Sequence, residues 1–436
     1  MPTSRIPALS AGRRTRCQVM AASAVGLIGL GLVTACGSSS DTDASDGSSS
    51  GSVSATAGSG MPSGAMPSGS GMPSGAAPSG SGAPSGGGVG GGDTDCSDAG
   101  TPTAAASGAV PENDDADEVA SVVKSANAFL DTLSSSEKSS VSNDYTDLAT
   151  KECTWSNFPD GLFNGRNGLR MGDLTNAQVK AAKKVVETAM SSAGYTYVTE
   201  QLNADDQLSS GDDDTTYGQQ NYHIAFYGDP STDSAWSLQF GGHHLGIMVS
   251  IGGDTLSLSP YFKGTQPVSY TYEGKTVEAM GDLSDDFFSI FTSMDDDAQS
   301  AAELDGEYTD LVMGPQNDTG YPDTEGTAYG DLTTAEQKLV KSVIEGYVAD
   351  YAGALSDPLV SLYESQLDDT YVAWATGLDT DDNAYLRIDG PRLWIEWVNT
   401  DNPGESGIHY HTIYRDKELD YGTGTGDSSS SSSSGS

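Results

Sequence analysis

GDLTNAQVKAAKKVVE (Gly172–Glu187) and GDLTTAEQKLVKSVIE (Gly330–Glu345) align without a gap and share nine of sixteen residues. Self-similarity over so long a stretch is the mark of an internal repeat. Each copy predicts a helix opened by a threonine N-cap, Thr175 or Thr333, and Glu336 three places on completes a capping box in the second. A β-rich stretch follows each helix. YHIAFYGDPSTDSAWSLQFGGHHLGIMVS from Tyr222 superposes on YVAWATGLDTDDNAYLRIDGPRLWIEWVN from Tyr371, matching Gly228 to Gly377, Trp236 to Tyr385 and Gly241 to Gly390. Alternating apolar residues there predict half-buried strands. The pattern implies an α+β fold: two related helix-plus-antiparallel-strand units, residues 172–270 and 330–422, packed into one large domain.

Outward from the repeats, DADEVASVVKSANAFLDTL adds a helix whose Val119, Val122, Val123, Ala126, Leu130 and Leu133 recur at helical spacing, with acidic residues in its first turn. The folded part is therefore expected over 113–422. Residues 37–112 are almost wholly Ser, Gly, Ala, Pro, Thr and Asp, with PSG recurring, and bury too little apolar surface to offset chain entropy. They read as a disordered tether, and the Ser-rich tail 423–436 reads the same way. Met61, Met66 and Met72 could ligate Cu(I), but their regular place in the PSG repeat reads as linker composition.

Residues 1–36 carry Arg5, Arg13, Arg14 and Arg16, then an uncharged run ending in VTAC, the form of a secretory signal with a short apolar core. VTAC resembles the lipobox of bacterial lipoproteins, which implies an acylated Cys36, anchorage in a lipid bilayer and a place on the extracytoplasmic face of a bacterial membrane. Cys17 leaves with such a leader and Cys36 takes lipid. Cys96 and Cys153 remain, in a compartment that permits a disulfide, and on the sequence alone they are either bridged or free.

Sixty-two acidic residues stand against 20 basic ones, a net charge of −42. Such a chain repels phosphate backbones, which excludes nucleic acid as a partner. Calcium finds no loop: DTDDNAYLRIDG from Asp379 has Ala384 where an EF-hand needs glycine and Gly390 where it needs a bidentate glutamate. The folded part holds neither a GxSxG elbow nor a phosphate-binding glycine loop ending in Lys-Ser or Lys-Thr.

Four of the five histidines fall in two short stretches, FGGHHLGIMVS and GIHYHTIYRD. His243 and His244 align with Arg392 and Leu393, whereas His409 and His411 align with Pro260 and Phe262, so the units differ in a complementary way that fits one asymmetric site at their junction. His409 and His411 are two apart on a strand and share a face. His243 and His244 follow Gly241 and Gly242, where a turn can rotate one ring out of alternation. Three or four imidazoles without cysteine suit Zn, Cu, Fe or Ni. Three readings of the four stay open: one transition-metal ion, a metal-free polar or reactive cluster, or purely structural residues. His223 is a further candidate ligand.

Glu396, in LWIEWV, is a candidate general base or metal-supporting carboxylate if buried, and a plain surface residue if not. Arg415, like Arg392, could hold a substrate carboxylate or simply pair with a neighbouring acid. The function classes that follow are capture of a metal or small ligand, metal-assisted hydrolysis or oxidation with Glu396 and Arg415 in catalytic roles, and an envelope interaction module without chemistry.

GGHHLGIMVSIGGDTLSLSPYFKGTQP, RIDGPRLWIEWVN and HYHTIYRDKELDYG, with WSNFP (Trp155–Pro159) and NGLRMGDLT, resemble the signature segments of the uncharacterised domain of unknown function 3500 family. The resemblance spans about Leu130 to Gly422, with His243, His244, His409, His411, Arg415 and Asp416 on its clearest marks. It implies a domain and no reaction.

Overall fold

Thr175 and Thr333 both cap helices, and both caps are capping boxes. Thr333 N–H donates to Glu336 Oε2 at 2.7 Å while Glu336 N–H donates to Thr333 Oγ1 at 3.3 Å. At the Thr175 cap Gln178 does the work of the glutamate, its Oε1 accepting from Thr175 N–H at 2.8 Å. An amide oxygen reaches back to the cap as well as a carboxylate oxygen does.

The computed structural model describes residues 116–422 except 164, 212–213, 318–319 and 402–406. The expected signal segment with Cys36, the expected tether with Cys96, and the Ser-rich tail lie outside the described residues. After helix α1 (Ala116–Leu130) come α2 (Asn176–Ala189) and α3 (Ser192–Leu208), then strands β1 (His223–Tyr227), β2 (Trp236–Gly242), β3 (Leu245–Gly252) and β4 (Tyr261–Thr265). Past α4 (Gly281–Thr292) the order recurs: α5 (Thr334–Val348), α6 (Gly353–Ser365), β5 (Tyr371–Ala375), β6 (Ala384–Asp389), β7 (Leu393–Asp401) and β8 (Ile408–Asp416). No helix among the described residues is long and apolar enough to cross a membrane.

All eight strands belong to one twelve-stranded sheet, in the order β1-β2-β3-β4-β8-β7-β6-β5 with short pieces at its margins. Every neighbouring pair in that order is antiparallel. The two helix-plus-strand runs thus meet edge to edge, β4 against β8, with Gly264 opposite His411 and Phe262 opposite Ile413. Pairing two edges satisfies backbone groups that each run would otherwise leave open.

Strand alternation divides the core in two. Leu238, Phe240, Ile247, Leu386, Ile395, Trp397 and Tyr414 point to the helices and pack with Val122, Val186, Val198, Val343 and Leu359. Met248, Phe262, Tyr385, Val398 and Ile413 point the other way and are covered by short helical turns and irregular segments, through Leu148, Trp155, Leu304, Tyr308, Leu311 and Tyr421. The acidic stretch from Asp379 that fails as a calcium loop runs into β6.

Candidate metal centre

Gly242 pairs with Leu245, so His243 and His244 are the two residues of the β2–β3 turn. His244 takes φ +60°, a left-handed conformation in which histidine is enriched among non-glycine residues. That conformation is pinned on both sides, because His244 N–H donates to Asn157 O at 3.3 Å and Gly264 N–H donates to His244 O at 2.9 Å. Gly264 has to be glycine: an added Cβ would lie 2.6 Å from Tyr410 O and 3.3 Å from His244 Cβ.

Across the β4–β8 seam, His409 and His411 project from one face of β8. Potential ligand nitrogens of His244, His409 and His411 all lie within 4.8 Å of one another. The rings are 5.2 Å (His244–His409), 5.1 Å (His244–His411) and 4.7 Å (His409–His411) apart, centre to centre. They are 1, 5 and 6 % exposed, so water screens them little. Nδ1 of His244 and Nδ1 of His409 are buried without a hydrogen-bond partner among the described residues. Orphaned buried nitrogens are uncommon in folded proteins and invite an explanation.

A carboxylate fixes the third ring. Asp310 Oδ1 lies 2.9 Å from His411 Nδ1, which puts the proton there and leaves the Nε2 lone pair free to face His244 Nε2 at 3.2 Å. Asn157 Nδ2 also approaches His411 Nε2, at 3.4 Å. His243 stands beside the three rather than among them. Its ring stacks on His244 at 3.8 Å, and its Nδ1 lies 2.6 Å from Oδ1 of the fully buried Asp205 of α3. Tyr222 Oη–H donates to the His243 carbonyl.

Burial, then the nearby His243, His411 and His409, holds the His244 imidazole well below its ordinary range. Burial, then His411 and His243, pushes His409 down to about 3. Both rings are therefore neutral near pH 7, the form that binds metal. Burial acts to raise Asp310, but the electrostatic pull and hydrogen bond of the His411 ring and the Leu311 N–H outweigh it, and the carboxyl sits below its ordinary range.

The remaining candidates lie away from the three rings. Glu396 is fully buried on the face that carries the histidines, and burial pushes it up to about 7 against hydrogen bonds from Met313, Trp394 and Val312 and the charge of Arg387. Arg415 is buried, with Nη1 3.2 Å from Asp420 Oδ2 and Nη2 donating to Gly314 O at 3.1 Å. Arg392 grips Asp416 with two nitrogens, at 2.6 and 3.1 Å. His223 Nε2 is 3.5 Å from Asp160 Oδ1, outside the group of three. Cys153 is disulfide-bonded. Sequence reading missed Asn157, Asp205 and Asp310; among 62 acidic residues nothing local distinguishes the two aspartates.

Fold and site together define an α+β protein with a buried histidine triad arranged so that it could hold a metal ion. Residues 115–423 match the family model described as protein of unknown function (DUF3500), and the chain belongs to that family. No curated protein and no solved structure gives a match.

Proposed function

We propose that this chain is an extracytoplasmic lipoprotein, anchored through acylated Cys36, that holds one transition-metal ion between its two related units. The observation that carries the metal reading is the pair of Nε2 atoms of His244 and His411 at 3.2 Å. Two nitrogens bound at 2.0–2.1 Å to one tetrahedral ion stand about 3.3 Å apart. His409 supplies the third nitrogen, Asp310 orients His411, and His243 with Asp205 buttresses His244 from behind. A carboxylate on the far nitrogen of a histidine is the usual support of a ligating ring. All-imidazole donors favour Zn, Cu, Fe or Ni over Ca or Mg.

Holding fits better than turnover. A catalytic ion needs an exchangeable position that substrate can reach, and these three rings are almost wholly covered. A metal-dependent hydrolase or oxidase is the second reading, favoured by the count of three nitrogens, which leaves one tetrahedral position for water.

Elemental analysis of tag-free protein from its native compartment tests the proposal, alongside the His409→Ala, His411→Ala double variant. About one equivalent of a single metal in the wild type and none in the variant is expected. Equal traces in both would refute it.

A further inference from the structure

Asp310 reaches His411 from a segment that shows no helix or strand among its described residues, between a short helix ending at Ala301 and a short strand beginning at Thr327. A carboxylate on such a segment orients a ring only if the segment is itself held. Two residues on, it is. Val312 N–H donates to Glu396 Oε2 at 2.5 Å and Met313 N–H donates to Glu396 Oε1 at 2.8 Å, while Trp394 Nε1–H also donates to Oε1. Both oxygens of a fully buried carboxylate are thus committed, two of the three bonds going to the backbone just after Asp310.

The sheet register explains why this works. Glu396 on β7 lies opposite Ile413 of β8, and His411 is the preceding residue on the same face of β8. One strand clamps the loop and its neighbour receives the aspartate. Arg387 lies opposite Glu396 on the other side, yet its Nε and Nη2 have no hydrogen-bond partner among the described residues, so the loop amides, and not a guanidinium, are what the carboxylate grips. Beyond the clamp, Arg415 Nη2 holds Gly314 O, and Gln316 Nε2 donates to the carbonyls of Cys153 and Trp155 at 3.3 Å.

We infer that Glu396 is a positioning residue for the metal centre: by clamping Val312 and Met313 it fixes Asp310 against His411 Nδ1 and so presents His411 Nε2 to the ion. The inference rests on the metal reading and assigns Glu396 no role as a base. Glutamine in its place keeps one acceptor oxygen and turns an NH₂ toward an amide N–H, so one loop bond is lost and a donor faces a donor.

Isothermal titration of the metal-free full-length protein with Zn²⁺ tests it. Glu396→Gln and Asp310→Ala are each expected to weaken binding about tenfold to hundredfold. The double variant is expected to bind no more weakly than Asp310→Ala alone, because the two act through one contact. Unchanged affinity in Glu396→Gln, or losses that multiply in the double variant, would overturn the inference. Long-range ¹⁵N–¹H spectra of His411 in the same metal-free samples read the positioning without metal: the Nδ1–H tautomer in the wild type, a mixture in Glu396→Gln and in Asp310→Ala. A wild type that takes up no Zn²⁺ but shows this tautomer change refutes the metal reading and leaves the clamp standing; an unchanged tautomer refutes the clamp. If Glu396→Gln does not fold, Glu396→Asp, which keeps the charge but withdraws it from the loop, carries the same tests.

Discussion

His244 and His411, separated by 167 residues of chain, face each other Nε2 to Nε2 at 3.2 Å. In the metal-free protein one proton can sit between them; with an ion, both lone pairs point at it. Replacing either ring by alanine removes a ligand outright, so His244→Ala and His411→Ala should each abolish stoichiometric metal. His243→Ala removes only the stacked ring and its link to Asp205, and should weaken binding about tenfold to hundredfold while leaving one site. Metal content after dialysis against a weak chelator separates these outcomes. Equal loss in all three variants would make His243 a ligand in its own right.

The seam between β4 and β8 leaves no room at Gly264. A Cβ there meets the Tyr410 carbonyl at 2.6 Å and the Phe262 ring at 3.0 Å, and the carbonyl is backbone that cannot swing aside. Gly264→Ala should cost about 1–3 kcal/mol of stability as an overpacked core position. Because His244 Cβ is the third neighbour at 3.3 Å, the same change should weaken metal binding. Urea unfolding and metal titration of one preparation check both; a variant with wild-type stability would mean the seam is looser than this geometry.

The α+β class and the pairing of His409 with His411 were legible because strand periodicity fixes which residues share a face. Edge-to-edge joining of β4 to β8 was not legible, because covering apolar faces by stacking two sheets satisfies the same pattern. Nor was the role of Asp310: its value comes from a loop placed by Glu396, a contact 83 or 84 residues away that leaves no local signature. Burial of Glu396 was one of two readings that alternation allowed, and the covering segment decides it.

Cys153 is disulfide-bonded, and of the other three cysteines Cys17 and Cys36 belong to the proposed leader and lipid anchor. Cys96 is the expected partner. A non-reducing peptide map should join the peptides that contain Cys96 and Cys153, and reduction should separate them. Cys153→Ser should lower stability by roughly 2–4 kcal/mol, the usual worth of closing a long loop. Gln316 donates to the Cys153 carbonyl, so the loss should also loosen the segment that carries Asp310. A free thiol at Cys96 in the intact protein would contradict the pairing.

Glu396 gives a pH dependence with a definite sign. Burial raises its carboxyl from an ordinary 4.5 to about 7, against the hydrogen bonds of Met313, Trp394 and Val312 and the charge of Arg387. Between those two pH values the folded chain holds a proton that the unfolded chain has released. Stability from this group is therefore fully present below pH 4.5, falls as pH rises through the window and is gone above about pH 7. His409, pushed down to about 3 by burial and its histidine neighbours, works the opposite way: its contribution is present above its ordinary 6.5 and is lost as pH falls. The wild-type profile mixes both, so the Glu396 part is isolated by subtracting the profile of Glu396→Gln. Urea unfolding of metal-free protein at closely spaced pH values should give a difference, wild type minus variant, that declines from about pH 4.5 to about pH 7 and is level on either side. A level difference across the whole range would show that Glu396 ionises at its ordinary pH despite complete burial, with the loop amides offsetting desolvation.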